Sequence, residues 1–512
     1  MSGWRLEGDD EAATDPMNIA RALEGVREAR PQAPAISFKQ QTWTYADLWA
    51  WVSAWAAELT PRLGAGDRVL CLAPNHPQVL AAYVAVAGLG AIFVPVNPEL
   101  SPDEIADIVT MADPGVVLTS DDLAPKLVKA LERADRHPQL LRLPRADASL
   151  WPSVGFGDLD PDQGALICFT SGSTDRPKGV FASHRNELAS ARQYGAIWAM
   201  QPEDRVLVAL PLSFLYGLTT GALTALLAGA HVLLEERFHP RHVLERISDD
   251  RATVFLGVPT MYVMMLEVGL EDPAAFHLSS IRLMLTAGAP IAEPTQQAFY
   301  QRFGVHLMDF YALSEVRPVF AYDARRFSQG RPGSCGHQLP GVEVQILAAS
   351  EQPMARPGMA AELLVRSETL MKGYYGDPAG TAEAIRDGWF HTGDLAAVDE
   401  DGFYSIVGRK KDLIIRGGFN VAPAEVERAI LTHPAVLEAA VVGVDDAVYG
   451  EDIGAAVTLK PGQRLEEADL VDFLRSVLAD YKLPRRIRFS KGLPRGATGK
   501  VDKQAVRALW TA

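Results

Sequence analysis

At 512 residues the chain exceeds what one hydrophobic core organises, so a large compound lobe with a smaller one is expected. Its 48% hydrophobic and 22% charged residues are those of an ordinary globular protein, which sets aside fibrous and low-complexity classes. The formal net charge of -15 disfavours polyanionic partners, nucleic acid among them.

The start, MSGWRLEGDDEAATDP, is polar and acidic and reads as neither signal nor membrane anchor. Short apolar, β-branched runs at 68–73, 91–96, 115–119, 165–169, 206–210, 231–234, 253–258 and 283–286 predict buried strands. Helix-length segments such as 77–88 and 216–227 lie between them, so the first three quarters read as layered α/β units. From about residue 333 the texture turns antiparallel, predicting a β-rich subdomain over about 333–408. The stretch GRKKDLIIRGG predicts a joint between a large N-terminal domain, 1–410, and a small, mobile α+β C-terminal domain, 411–512. The fold class is therefore α/β with an α+β ending. Cys71, Cys168 and Cys335 are too scattered for a CxxC pair or a zinc cluster, and a reducing cytoplasm suits them.

The segment ALICFTSGSTDRPKG runs a strand into Thr170, Ser171, Gly172, Ser173, Thr174, Asp175, Arg176, Pro177, Lys178 and Gly179. Hydroxyls, glycine amides and a lysine at a strand exit are what a polyphosphate needs, although a Ser/Thr-rich surface turn has the same composition. The GK[ST] ending of a Walker loop is missing. TSGST-xx-PKG resembles the signature of the adenylate-forming superfamily, which includes acyl- and aryl-CoA ligases, luciferases and peptide-synthetase adenylation domains. Asp175 stands where that family usually has glycine, bringing a carboxylate close to phosphates, with Arg176 beside it.

Four further signatures follow in the superfamily's order. Tyr311-Ala312-Leu313-Ser314-Glu315 resembles YGxTE, which implies a tyrosine on adenine, Ser314 on phosphate and Glu315 carrying Mg²⁺. A magnesium ion bridging phosphates needs one hard carboxylate, so an isolated glutamate suffices, while a helix-capping glutamate is the alternative. Trp389-Phe390-His391-Thr392-Gly393-Asp394 resembles WFxTGD, implying that Asp394 accepts the ribose hydroxyls. Arg409, Lys411, Gly417 and Gly418 match a hinge and glycine pair that touch the nucleotide and the pantetheine arm; a charged loop is the plain alternative. Leu493 to Lys500 resembles the terminal PxxxxGK, making Lys500 the expected catalytic lysine alongside Thr170, Lys178 and Glu315. Adenylation builds negative charge at phosphorus, and a mobile ammonium stabilises that charge more than the ground state.

By the same resemblance Gly288, Ala289, Asp309 and Phe310 border the nucleotide, and the acid pocket falls to Phe214, Tyr216, Gly217, Ala287, Ala312, Arg317, Pro318 and Val319. Phe214 replaces the family's usual histidine, and Pro318-Val319 resembles plant coumarate:CoA ligases, implying an aromatic or medium-length hydrophobic acid. Arg317 stands open between a salt bridge to a second substrate carboxylate and a position in solvent. The resemblance implies ATP, Mg²⁺ and coenzyme A as cofactors, a small carboxylic acid as substrate, and acyl-AMP followed by an acyl thioester as products. A stand-alone adenylation enzyme loading a carrier-protein phosphopantetheine, a luciferase-type oxygenase and a non-catalytic nucleotide-binding protein are the alternatives, and a homodimer is left open.

Overall fold

The computed structural model describes residues 18–144, 155–170, 177–347, 360–446, 448–495 and 501–510. Of the residues singled out above, Ser171, Gly172, Ser173, Thr174, Asp175, Arg176 and Lys500 lie outside these.

The apolar runs form two seven-stranded sheets. The first runs from edge to edge as Leu307–Asp309, Leu283–Thr286, Val254–Gly257, Arg205–Val208, His231–Leu234, Pro34–Phe38 and Gln41–Thr44, parallel except for its last strand. The second runs as Gly373–Tyr374, Lys178–Ser183, Gly164–Thr170, Ile92–Val96, Arg68–Leu72, Val116–Thr119 and Gln139–Arg142, parallel from Gly164–Thr170 onward. Parallel strands need crossover helices, which cover both sheet faces, so these strands carry continuous hydrophobic runs instead of alternating ones. Helix Pro77–Gly88 is buried on every side between the sheets, which is why it shows no polar stripe.

The β-rich stretch is an antiparallel sheet of Val342–Leu347, Ala361–Ser367, Trp389–Val398 and Ile385–Arg386, with Tyr404–Arg409 paired to Trp389–Val398. The last sheet orders Phe419–Val421, Ile414–Arg416, Gly450–Leu459 and Val436–Asp446, with Arg486–Ser490 added in parallel to Gly450–Leu459. Its buried residues, from Ile414 to Val506, form clusters separate from those of the preceding sheets, whose last buried member is Ala396.

Segment 216–227 departs from the expected α-helix. Tyr216–Leu223 is a π-helix, and only Thr224–Leu227 is α-helical. Its wider turns are supported by hydroxyls: Thr219 Oγ1 donates to the Leu215 carbonyl at 2.9 Å, and Thr224 Oγ1 to the Thr219 carbonyl at 3.0 Å.

The helix His184–Ile197 begins with a fully buried histidine whose Nδ1 accepts the Ile19 amide at 3.4 Å. An imidazole accepting at Nδ1 must be neutral, and burial lowers its pKa from 6.5 to about 4. Protons therefore bind the unfolded chain preferentially between those values, so the stabilisation is complete above pH 6.5 and is lost as pH falls towards 4. Chemical denaturation should show stability declining across this window, by about 3 kcal/mol at most from this group. The variant His184→Gln should flatten that part of the profile, while an unchanged slope would assign the decline to other groups.

Candidate active site

The parallel strands deliver the motif residues to their carboxyl ends, where ligands of open α/β sheets bind. Thr170 closes Gly164–Thr170 and lies opposite Lys178, the first residue of the returning strand, with Thr170 Oγ1 3.4 Å from the Lys178 carbonyl that accepts from it. The Lys178 ammonium sits 4.7 Å from the ring centre of Tyr374, and the Tyr374 hydroxyl donates to Glu315 Oε1 at 3.0 Å. Burial, followed by the Glu315 charge, holds the Tyr374 phenol above its ordinary range. Thus the lysine and the glutamate, far apart in sequence, meet across one tyrosine.

A second group forms around Asp394, which is 4% exposed. Its Oδ2 accepts from the Tyr311 hydroxyl at 2.5 Å, and its Oδ1 lies 3.1 Å from Arg409 Nε. Asp394 and Arg409 are register partners on adjacent antiparallel strands, which is why the pair forms. Thr392 Oγ1 accepts the Asp394 amide at 3.0 Å, fixing the backbone that carries the carboxylate. Burial, then the neighbouring Asp394 charge, keeps the Tyr311 phenol protonated, and its ring stacks on Phe320 at 5.7 Å.

The other residues expected at the nucleotide lie at or just beyond strand ends. Phe310 is buried in an aromatic cluster, with its ring 5.5 Å from Tyr216, 5.3 Å from Trp198 and 5.8 Å from Tyr194. Asp309 ends its strand half-buried, and burial pushes its carboxyl up. Gly288, at φ +88°, and Ala289 are exposed just beyond Leu283–Thr286. Of the acid-pocket residues, Phe214, Tyr216 and Ala312 keep partial exposure, whereas Gly217, Ala287, Pro318 and Val319 are sealed. The Tyr216 hydroxyl donates to the Gly257 carbonyl at 3.0 Å, laying its ring across the strand ends.

Arg317 requires a correction. It is 3% exposed, so it does not sit in solvent, and its guanidinium is engaged by the protein: Nη2 donates to the buried Glu187 carboxylate and Nη1 to the Ser314 carbonyl at 2.9 Å. A second substrate carboxylate would have to displace Glu187. Glu187, Tyr374 and the deeper aromatics Tyr194 and Trp198 were not anticipated from sequence. Only the Tyr374-Tyr375 doublet between glycines offered a compositional hint, because the others acquire their place through tertiary packing.

Lys411 is exposed in the 3₁₀ turn Lys410–Asp412, where Lys410 Nζ pairs with Glu362 at 2.7 Å. Gly417 and Gly418 form the two-residue turn between Ile414–Arg416 and Phe419–Val421, with φ +56° and +86°. Positive φ at both central residues is the hairpin turn that glycine allows. Exposed Ile415, Phe419 and Val448 stand beside it.

The two α/β sheets, the antiparallel third and the separate last sheet, with the site at the strand ends, define an adenylate-forming fold. A model of the AMP-binding enzyme family matches residues 23–375, and that of the AMP-binding enzyme C-terminal domain matches residues 425–500. The chain belongs to this family and is of its acid–thiol ligase type. It is 35% identical to a feruloyl-CoA synthase of Amycolatopsis sp, over 94% of this chain and 97% of the other. It is 33% identical to a long-chain-fatty-acid–CoA ligase of Bacillus subtilis, over 92% and 90%. Among solved structures, ATP-bound MatB from Rhodopseudomonas palustris superposes with a TM-score of 0.89 at 29% identity, covering 97% of this chain and 99% of that one.

The glycine turn yields a direct test of backbone need. Gly417→Asn should change unfolding free energy in urea by no more than about 0.5 kcal/mol, because asparagine tolerates this φ. Its new Cβ would meet only the partly exposed Tyr449 ring, at 3.1 Å. Gly418→Val should cost about 1–2 kcal/mol, the penalty of a branched residue at positive φ.

Proposed function

We propose that the protein activates a compact aromatic or medium-length hydrophobic carboxylic acid with ATP and Mg²⁺, forming an acyl adenylate that coenzyme A then captures as a thioester. The observation that carries this reading is the convergence of Lys178, Glu315 and Tyr374 beside Tyr311, Asp394 and Arg409. A phosphate-binding cation, a metal-binding carboxylate and a ribose acceptor are thereby joined through segment 311–315, which carries both Tyr311 and Glu315.

Glu315 fits magnesium: it offers a hard, half-buried carboxylate oxygen that would hold the ion, with phosphate and water supplying the remaining ligands. The described residues hold no cluster of three or more potential ligands elsewhere. When bound, the ion supplies charge neutralisation on the phosphates. In this reading Asp394 and Arg409 hold the ribose, Tyr311 lies against the base, and Lys178 with Thr170 and the 171–176 segment cradles the phosphates. Ser314, Gly288, Ala289 and Asp309 border the nucleotide. The substrate carboxylate attacks the α-phosphorus, the bond to the β-phosphate oxygen breaks and pyrophosphate leaves, with Lys500 balancing the charge. In the second step a thiolate attacks the acyl carbon and AMP departs. The separate core of residues beyond Ile414 supports a small lobe turning near Lys410 and Lys411, so that the Lys500 and Gly417-Gly418 faces act alternately.

The size of the acid is read from the pocket floor. Tyr216 and Phe310 meet edge to face, backed by Tyr194 and Trp198 at 0% and 1% exposure. Four rings packed to interior density leave little depth beyond Phe214 and Tyr216 for an extended alkyl chain.

Acid-dependent ATP–pyrophosphate exchange across a panel should favour arylpropenoic and arylacetic acids over hexadecanoic acid by about 100-fold in kcat/KM. Equal use of hexadecanoate would sink the assignment of acid class, and silence towards every acid would sink the adenylation reading. Thioester formation with free coenzyme A, measured beside a phosphopantetheinylated carrier protein, separates the two acceptors. Lys500→Ala should lower acyl-AMP formation by about 10²–10³, the usual cost of one transition-state donor, while leaving the second half-reaction from supplied acyl-AMP largely intact.

A further inference from the structure

Glu187 and Arg317 are at 0% and 3% exposure, and nothing in the reaction as described uses them. Burial pushes the Glu187 carboxyl up, opposed by the charge and hydrogen bond of Arg317. Although burial also works against the guanidinium, Glu187 holds it above its ordinary range. Tyr83 faces the same carboxylate from helix Pro77–Gly88, and Tyr194 and Cys168 complete the surroundings. An apolar pair of similar volume would fill this space without the desolvation that two buried charges incur, so packing alone does not account for it.

The connections account for it better. Glu187 lies in the first turn of helix His184–Ile197, which follows directly on the strand that begins with Lys178. Arg317 lies two residues beyond Glu315 and reaches back to the Ser314 carbonyl, across a turn closed by the Leu313 amide donating to Val316 at 3.0 Å. The Met371 amide donates to the Glu315 carbonyl at 2.7 Å, and Tyr374 links Glu315 to Lys178 above. The circuit therefore closes from Lys178 through Glu187, Arg317, Ser314, Glu315 and Tyr374 back to Lys178. A planar guanidinium can donate in two fixed directions at once, which an ammonium cannot do with equal geometry.

We propose that the buried Glu187–Arg317 pair is a positioning device, which fixes the Ser314–Glu315 turn relative to the strand bearing Lys178 so that the two charges face one MgATP. The proposal rests on the reading of that turn as the metal-nucleotide face. The pair does not touch substrate; it acts through the Ser314 carbonyl and the peptide that follows.

The test compares Arg317→Lys, Glu187→Gln and the apolar double variant Glu187→Leu/Arg317→Met with the parent protein. Three measurements apply to each: thermal melting, amide hydrogen exchange of segment 311–319 without nucleotide, and magnesium dependence of pyrophosphate exchange. Arg317→Lys and the double variant should stay folded. Exchange in 311–319 should quicken about tenfold while strand Ile92–Val96 keeps its protection. The magnesium concentration for half-maximal rate should rise about tenfold with the KM for the acid unchanged. A folded variant with parental exchange in 311–319 and parental magnesium dependence overturns the proposal. So does unfolding of all three variants, which would make the pair a stability element. If the parent activates no acid, the functional reading fails, while the exchange comparison still judges the clamp.

Discussion

The architecture depends on one constraint: buried parallel strands must be joined by crossover helices, and so all of them release their chains at the same end. Thr170, Ala287, Asp309 and the 209–217 segment all follow such ends, from strands that belong to two different sheets. Loops at these positions owe nothing to core packing and can carry glycines, hydroxyls and charges that a strand interior would reject. The site is thus assembled by topology before any side chain makes a polar contact.

The polar contacts then join what topology brings close. Asp394 is held by a tyrosine from the α/β body and by an arginine from its own antiparallel neighbour. Arg409 ends the strand Tyr404–Arg409, and the next residues lead out to the last sheet. One carboxylate therefore sits at the point where the body, the antiparallel sheet and the chain towards the smaller lobe converge. Arg409 is half-exposed, so the pair's share of the energy is modest.

The sequence was legible wherever a pattern is local. Strand His231–Leu234 and helix Pro77–Gly88 were readable because burial and a proline at the first helical position each leave a short signature, whereas the hairpin turn at Gly417 and Gly418 was not read from their glycines. Segment 216–227 read as an α-helix because its apolar content does not distinguish a π-helix, whose register is set by the hydroxyls of Thr219 and Thr224. Arg317 was misplaced for a related reason: an arginine looks solvated until the fold sets Glu187 against it. Motif residues on the loops could be named from sequence, but the residues that steady them from neighbouring elements could not, since nothing near Tyr374 or Glu187 along the chain refers to Glu315 or Arg317.

Among the described residues two arginines break the rule that a charge stays at the surface, and each stands beside a turn. Arg317 follows the Ser314–Glu315 turn, and Arg416 precedes the glycine hairpin, paired with buried Asp452 at 2.7 Å while donating to the Tyr481 carbonyl at 2.8 Å. In both, one guanidinium edge meets a buried carboxylate and another a backbone carbonyl, so the charge is compensated and direction is imposed on nearby main chain. A hydrophobic core constrains volume far more than angle, because its contacts are not directional. A loop rich in glycine or serine therefore gains a fixed attitude only from bonds with preferred geometry. Departures from the burial rule mark functional regions on this argument, and here the same pattern recurs in the loop after Ser314–Glu315 and in the strand before the glycine hairpin.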